Sequence, residues 1–135
     1  MKASDVMTSK PHTIDYNATL LNAAQKMQMF RCGALPVVNA TKTVGILSLG
    51  DIVRRAVVIN TDVKITHVHH IMTIPPIYCY EEDLLEQAFY KMYANCIRRI
   101  LIKDLKEKLT GILTLSDIVL RIPDKSLLCQ IVKIN

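Results

Sequence analysis

The sequence predicts an α/β fold built from two similar units, each strand-helix-strand-strand-helix, packed sheet to sheet with approximate two-fold symmetry. Three observations lead there. The phrase VGILSLGDIV at residues 44–53 returns as TGILTLSDIV at 110–119. Matching residues recur upstream of that phrase at a nearly constant interval. Each half also carries one stretch of helical hydrophobic periodicity followed by two short apolar runs.

The interval is 65 residues over most of the chain. It takes Val6-Met7-Thr8 to Ile71-Met72-Thr73, Pro11 to Pro76, Leu20 to Leu85, Ala23 to Ala88, Lys26 to Lys91, Met27 to Met92 and Val37 to Ile102. One extra residue in the second copy makes it 66, so Gly45 meets Gly111 and Asp51 meets Asp117. The copies are therefore residues 1–60 and 61–123, with a C-terminal extension at 124–135 outside both.

In the first copy, His12-Thr13-Ile14 suits a short strand. Asn17 is placed to cap a helix with Leu20, Ala24 and Met27 on one face. Leu35 to Val38 and Val44 to Leu47 flank a polar turn and read as a hairpin. Ser48 then opens a helix through about Ile59. In the second copy a strand lies near Ile77 to Tyr80, and a helix follows with Leu84, Leu85, Ala88 and Met92 inward. Ile100 to Ile102 pairs with Gly111 to Leu113, and a last helix starts after Thr114 and stops before Pro123, which has no N–H for a continuing ladder. One such unit buries too little surface to be secure alone, so two are expected to cover each other.

The totals narrow the function. Half of the 135 residues are hydrophobic, which fits a folded globule. No apolar run reaches the roughly 18 to 20 residues that span a bilayer, and the N-terminus MKASDVMTSK lacks a signal-peptide core. The expectation is a cytoplasmic protein without membrane partners. Cys32, Cys79, Cys96 and Cys129 form no C-x-x-C pair and read as reduced, mostly buried hydrophobes. The formal charge of +5 points to an anionic partner. A nucleic-acid protein usually adds a basic stripe and stacking aromatics, whereas Trp is absent here. Nucleotide phosphates fit the balance at least as well.

The repeated phrase carries the chemistry. Thr114, Ser116 and Asp117 follow a strand and open a helix. Two hydroxyls and one carboxylate at this spacing match a ribose phosphate: the hydroxyls and first-turn amides face phosphate oxygens, and the carboxylate takes both ribose hydroxyls. The same residues also read as a capping box, in which the acid reaches back to the cap's N–H. Both readings stand at this point. Arg98 and Arg99 lie where a helix gives way to a strand, either as a phosphate fork or as an exposed pair favoured by the helix dipole. The first copy has Gly33 and Ala34 in their place, so the two copies are unequal.

The order of elements, the Met-Thr pair before the proline, ALPVV at 34–38, and G-h-h-[ST]-x-x-D closing each copy resemble a tandem pair of CBS domains, the Bateman module. The likeness covers residues 4–121. It implies a stand-alone regulatory or sensor module that binds AMP, ADP or ATP, or S-adenosylmethionine, in the cleft between its repeats and modulates a partner protein. No cofactor is required, and a homodimer through helices is implied. By the resemblance, the main site comprises Ile112, Thr114, Ser116 and Asp117 with Arg98 and Arg99, joined by Lys10, Asp15, Cys32 and Gly33 around the base. A second, weaker site comprises Ile46, Ser48 and Asp51 with Pro75, Tyr80 and Ile97. There, Gly50 stands where Ser116 has a hydroxyl. A nucleic-acid-binding protein and a ligand-free structural dimer are the alternatives.

Other features give less. His67, His69 and His70 form HVHH; on an α-helix, 67 and 70 share a face and 69 does not, so no metal site is expected. No nucleophile–base pair, Walker A loop or paired carboxylate stands out, and no catalysis is expected. Leu127, Leu128, Ile131 and Val132 form an apolar stripe in the extension.

Overall fold

The computed structural model describes residues 1–121. The extension at 124–135, with Cys129 and its apolar stripe, lies outside the described residues.

The elements run in order as follows: α1 (Ala3–Val6), β1 (Thr8–Ser9), β2 (Ile14–Asp15), α2 (Leu20–Phe30), β3 (Ala34–Asn39), β4 (Lys42–Ser48) and α3 (Leu49–Ile52). A π-helical turn at Val53–Val57 extends α3, and a 3-10 turn forms at Val68–His70. Then come β5 (Tyr78–Tyr80), α4 (Leu85–Ala94), β6 (Arg99–Lys103), β7 (Leu109–Thr114) and α5 (Leu115–Val119). Among the described residues no helix is long and apolar enough to cross a membrane.

The chain forms two compact units, and they are cut differently from the sequence repeats. One comprises residues 12–76; the other joins residues 1–11 to residues 77 onward. The cause lies in the Met-Thr segments. Strand β1 pairs antiparallel with β7, Thr8 opposite Ile112 and Ser9 opposite Gly111, completing the sheet β1-β7-β6-β5. Thr73, its counterpart, bridges to Ile46 beside the three-stranded sheet β2-β3-β4. Each Met-Thr segment thus docks on the hairpin of the other repeat.

The repeated glycines make room for this. A Cβ at Gly45 would stand 2.8 Å from Met72 Sδ and 2.9 Å from the Thr73 carbonyl oxygen. At Gly111 it would collide with the Met7 side chain and reach the Thr8 carbonyl oxygen at 3.1 Å. The glycine of the repeated phrase and the Met-Thr pair are therefore one device, written twice.

Each unit has its own core. Leu20, Ala23, Met27, Leu35, Val37 and Leu47 lead one; Leu85, Phe89, Met92, Ile100, Ile102 and Leu113 lead the other. The buried face of α2 uses Ala23, not Ala24, because its inward stripe advances by three residues and then four. Its cap is Thr19, whose Oγ1 accepts from the Asn22 N–H at 3.1 Å. Asn17 instead donates its N–H to Asp15 Oδ1 at 2.8 Å, closing a turn before the helix. In α4, Phe89 joins the buried face while Leu84 sits at the cap position, about half exposed. Of the described cysteines only Cys79 is buried; Cys96, just past α4, is exposed. The hairpins match expectation: β3 pairs with β4, and β6 with β7, both antiparallel.

Candidate functional site: two strand-to-helix turns

Both repeated phrases end a strand and start a helix in the same way. In one unit, Thr114 N–H donates to Asp117 Oδ2 at 3.0 Å and Asp117 N–H donates to Thr114 Oγ1 at 3.2 Å. In the other, Ser48 N–H donates to Asp51 Oδ2 at 2.9 Å and Asp51 N–H donates to Ser48 Oγ at 3.1 Å. Each is a capping box, so that reading of the motif holds for both copies.

The turn is further tied to the neighbouring strand. Leu115 N–H donates to the Arg98 carbonyl at 2.7 Å, and Leu49 N–H donates to the Gly33 carbonyl at 3.0 Å. Arg99 stands opposite Thr114 in the ladder, as Ala34 stands opposite Ser48. The equivalence of Arg98-Arg99 with Gly33-Ala34 is thus one of position in the sheet. Two first-turn amides of α5, those of Leu115 and Asp117, are already engaged. Anion attraction at this turn therefore depends on side chains more than on bare amides.

The carboxylates differ. Asp51 is buried at 4% exposure. Its Oδ1 accepts from the Thr73 hydroxyl at 2.9 Å, so both oxygens are occupied. Asp117 is half-buried, and among the described residues its Oδ1 accepts no hydrogen bond. Thr8, the counterpart of Thr73, is exposed. The Thr114 and Ser116 hydroxyls share a hydrogen bond at 3.1 Å, with Ser116 exposed. Gly50 occupies the position of Ser116 in the other turn, and the Arg54 guanidinium covers it: a Cβ there would stand 2.7 Å from Nη1. Sequence reasoning missed Thr73. The repeated Met-Thr pair was the signal for it, but only the fold shows where its hydroxyl goes.

The expected site residues fall in both units. Lys10, Arg98, Arg99, Ile112, Thr114, Ser116 and Asp117 belong to one, where Lys10 N–H donates to the Thr110 carbonyl at 3.1 Å. Asp15, Cys32 and Gly33 belong to the other, with Asp15 exposed in its turn and Cys32 N–H donating to the Met27 carbonyl at 3.1 Å. Of the second set, Ile46, Ser48, Asp51 and Pro75 share a unit, while Tyr80 and Ile97 lie in the other. Tyr80 donates its hydroxyl to Glu107 Oε1 at 2.6 Å, and this bond first, then burial, raises its pKa. Ile97 packs against the core of its unit. A hollow of about 320 Å³ lies beside Tyr80, lined by Glu81, Glu82, Asp104, Leu105 and Lys106. Three acids against one lysine give it the wrong sign for a phosphate.

Two α/β units, each with a capped strand-to-helix turn on its hairpin, define a duplicated α/β module. A model of the CBS domain matches residues 3–58 and 68–124. The chain belongs to the CBS domain family, as a tandem pair. It is 34% identical over 122 residues to the inosine-5′-monophosphate dehydrogenase of Methanocaldococcus jannaschii, which covers 89% of this chain and 23% of that protein. An uncharacterized protein of the same organism is 30% identical over 118 residues, covering 87% of this chain and 38% of that one. The chain thus spans about a quarter and about two fifths of these relatives. A conserved CBS domain protein of unknown function from Thermoplasma acidophilum superposes with a TM-score of 0.90 at 21% identity, over 99% of this chain and 75% of that one. A CBS domain pair solved in complex with 5′-methylthioadenosine and S-adenosyl-L-methionine has a TM-score of 0.80 at 26% identity, over 88% and 93% of the two chains.

Proposed function

We propose that this chain is a regulatory ligand-binding module whose Asp117 turn holds an adenosine compound bearing negative oxygens: AMP, ADP or ATP, with S-adenosylmethionine as the alternative. The observation that carries the reading is the unequal pair of carboxylates. Asp51 is closed by Thr73, while Asp117 keeps Oδ1 for a pair of ribose hydroxyls. Ser116 and Thr114 add hydroxyls beside it, and Arg98 and Arg99 bring permanent positive charge to the strand opposite. The similar CBS pair bound to two adenosine compounds supports the adenosine class. The Ser48 turn, with a saturated Asp51 and a glycine at position 50, is the weaker site.

The module is a sensor rather than a catalyst in this reading. Occupancy alters a partner only through a difference in ligand affinity between two shapes. Self-association is part of the proposal, since Val57, Val58 and Ile59 present exposed apolar surface next to α3.

Thermal shift and calorimetry with AMP, ADP, ATP, S-adenosylmethionine and a short RNA test the reading. A ligand at 100 times its Kd stabilises the folded state by about 2.7 kcal/mol. An adenosine compound is expected to raise Tm, Asp117→Asn to remove the rise, and Arg98→Gln to weaken phosphate-bearing ligands by roughly tenfold or more. Salt-sensitive RNA binding without any nucleotide shift overturns it.

A further inference from the structure

Three of the chain's four histidines stand within four residues, and the backbone decides what they can do. An α-helix would set His69 apart from His67 and His70. The segment is not α-helical. His67 is extended, at φ −79° and ψ 148°, and Val68–His70 form a single 3-10 turn. Val68 is fully buried and donates its N–H to the Ala18 carbonyl at 2.8 Å, while His67 bridges to Thr19. With Val68 anchored, one nitrogen from each of the three imidazoles lies within 4.8 Å of the others. Ring centroids stand 4.1 Å apart for His69 and His70, and 5.4 Å apart for His67 and His69. Tyr16 stacks on His69 at 4.2 Å and 13°, fixing that ring.

We propose that His67, His69 and His70 bind a divalent transition-metal ion of the zinc type, with a fourth coordination position left to water or another ligand. Neutral imidazole suits Zn²⁺, Cu²⁺ and Ni²⁺, and three protein ligands with one open position is an established zinc arrangement. Zn–N bonds of about 2.0–2.1 Å in a tetrahedron place ligand atoms about 3.3 Å apart. The nitrogens need to close by about 1.5 Å at most. His70 is exposed, so rotation of its ring supplies that movement. The turn leads directly into Ile71-Met72-Thr73, so a bound ion fixes the start of the segment that closes Asp51.

The test uses the chain without a histidine tag. Calorimetry with ZnCl2 is expected to show one ion per chain. His67→Gln and His70→Gln are expected to weaken binding about tenfold or more. His12→Gln leaves it unchanged, because His12 stacks on Phe30 at 3.6 Å and is not part of the cluster. Circular dichroism and melting without metal show that each variant folds; the exposed His70 makes its substitution the safest probe. Cobalt loading is expected to give four-coordinate visible bands without thiolate charge transfer. No uptake at equimolar zinc, equal affinity in the folded His67→Gln and His70→Gln variants, or thiolate charge transfer from cobalt on cysteine overturns the proposal.

Discussion

The Thr73 hydroxyl donates to Asp51 Oδ1 at 2.9 Å, and through it the start of the second repeat closes the carboxylate that ends the first. A buried acid is tolerated because each oxygen has a donor. The matching Thr8 is exposed and Asp117 stays half-open. The same phrase thus serves two ends, one structural and one available to a ligand.

Removing that hydroxyl is expected to be costly in one copy only. Thr73→Val leaves a buried carboxylate oxygen unsatisfied and is expected to destabilise by about 1–3 kcal/mol. Thr8→Val, on an exposed residue, is expected to stay within about 0.5 kcal/mol. Urea denaturation of the two variants measures the difference, and equal effects would contradict the asymmetry.

Gly45→Ala is expected to cost about 1–3 kcal/mol by overpacking. Its new methyl meets the Thr73 carbonyl oxygen, held where Thr73 N–H donates to the Ile46 carbonyl at 2.8 Å and Ile46 N–H returns to Thr73 at 3.1 Å. Gly111→Ala is expected to cost less, because its principal clash is with the flexible Met7 side chain. Thermal melts rank the two variants, and the reverse order would show that Met7 yields less readily than the Thr73 backbone.

Cys79 and Cys96 are expected to part in reactivity. Burial, aided by Asp83 and opposed by Lys91, pushes the Cys79 thiol from 9.0 up to about 11. Cys96 is exposed. At pH 8, iodoacetamide is expected to modify Cys96 in the folded protein and Cys79 only after unfolding, as peptide mass spectrometry reads out. Prompt modification of Cys79 would show that its strand opens readily.

The same shift has a consequence for alkaline stability. The fold accommodates the neutral thiol, so this contribution is complete below about pH 9 and is lost as pH rises through about 11. At about 1.4 kcal/mol per pKa unit, it amounts to roughly 2–3 kcal/mol. Cys79→Ala is expected to flatten the decline in stability between pH 9 and 11, measured by denaturation at each pH. An unchanged slope would place the thiol's titration elsewhere.

The duplication, the hairpins and the α/β class were legible because each is written in local pattern: a repeat interval, apolar runs and turn residues. The capping boxes were legible too, since their partners lie three residues apart. Helix faces were read to within one residue. The inward face of α2 centres on Ala23 rather than Ala24, and that of α4 includes Phe89, because periodicity in a short helix fixes the centre of its inward stripe only to within one position. Asn17 and Thr19 are both capping types, and only the turn held by Asp15 assigns the cap to Thr19.

By itself the sequence determined a twice-written α/β plan and a polar turn at the end of each copy, since spacing and residue type suffice for both. Only the tertiary structure decided which sheet a two-residue strand joins, which aspartate is sealed, and that three histidines converge on one turn. Those outcomes depend on contacts between residues far apart in the chain, or on a backbone turn that packing of Val68 imposes, and no local pattern encodes either.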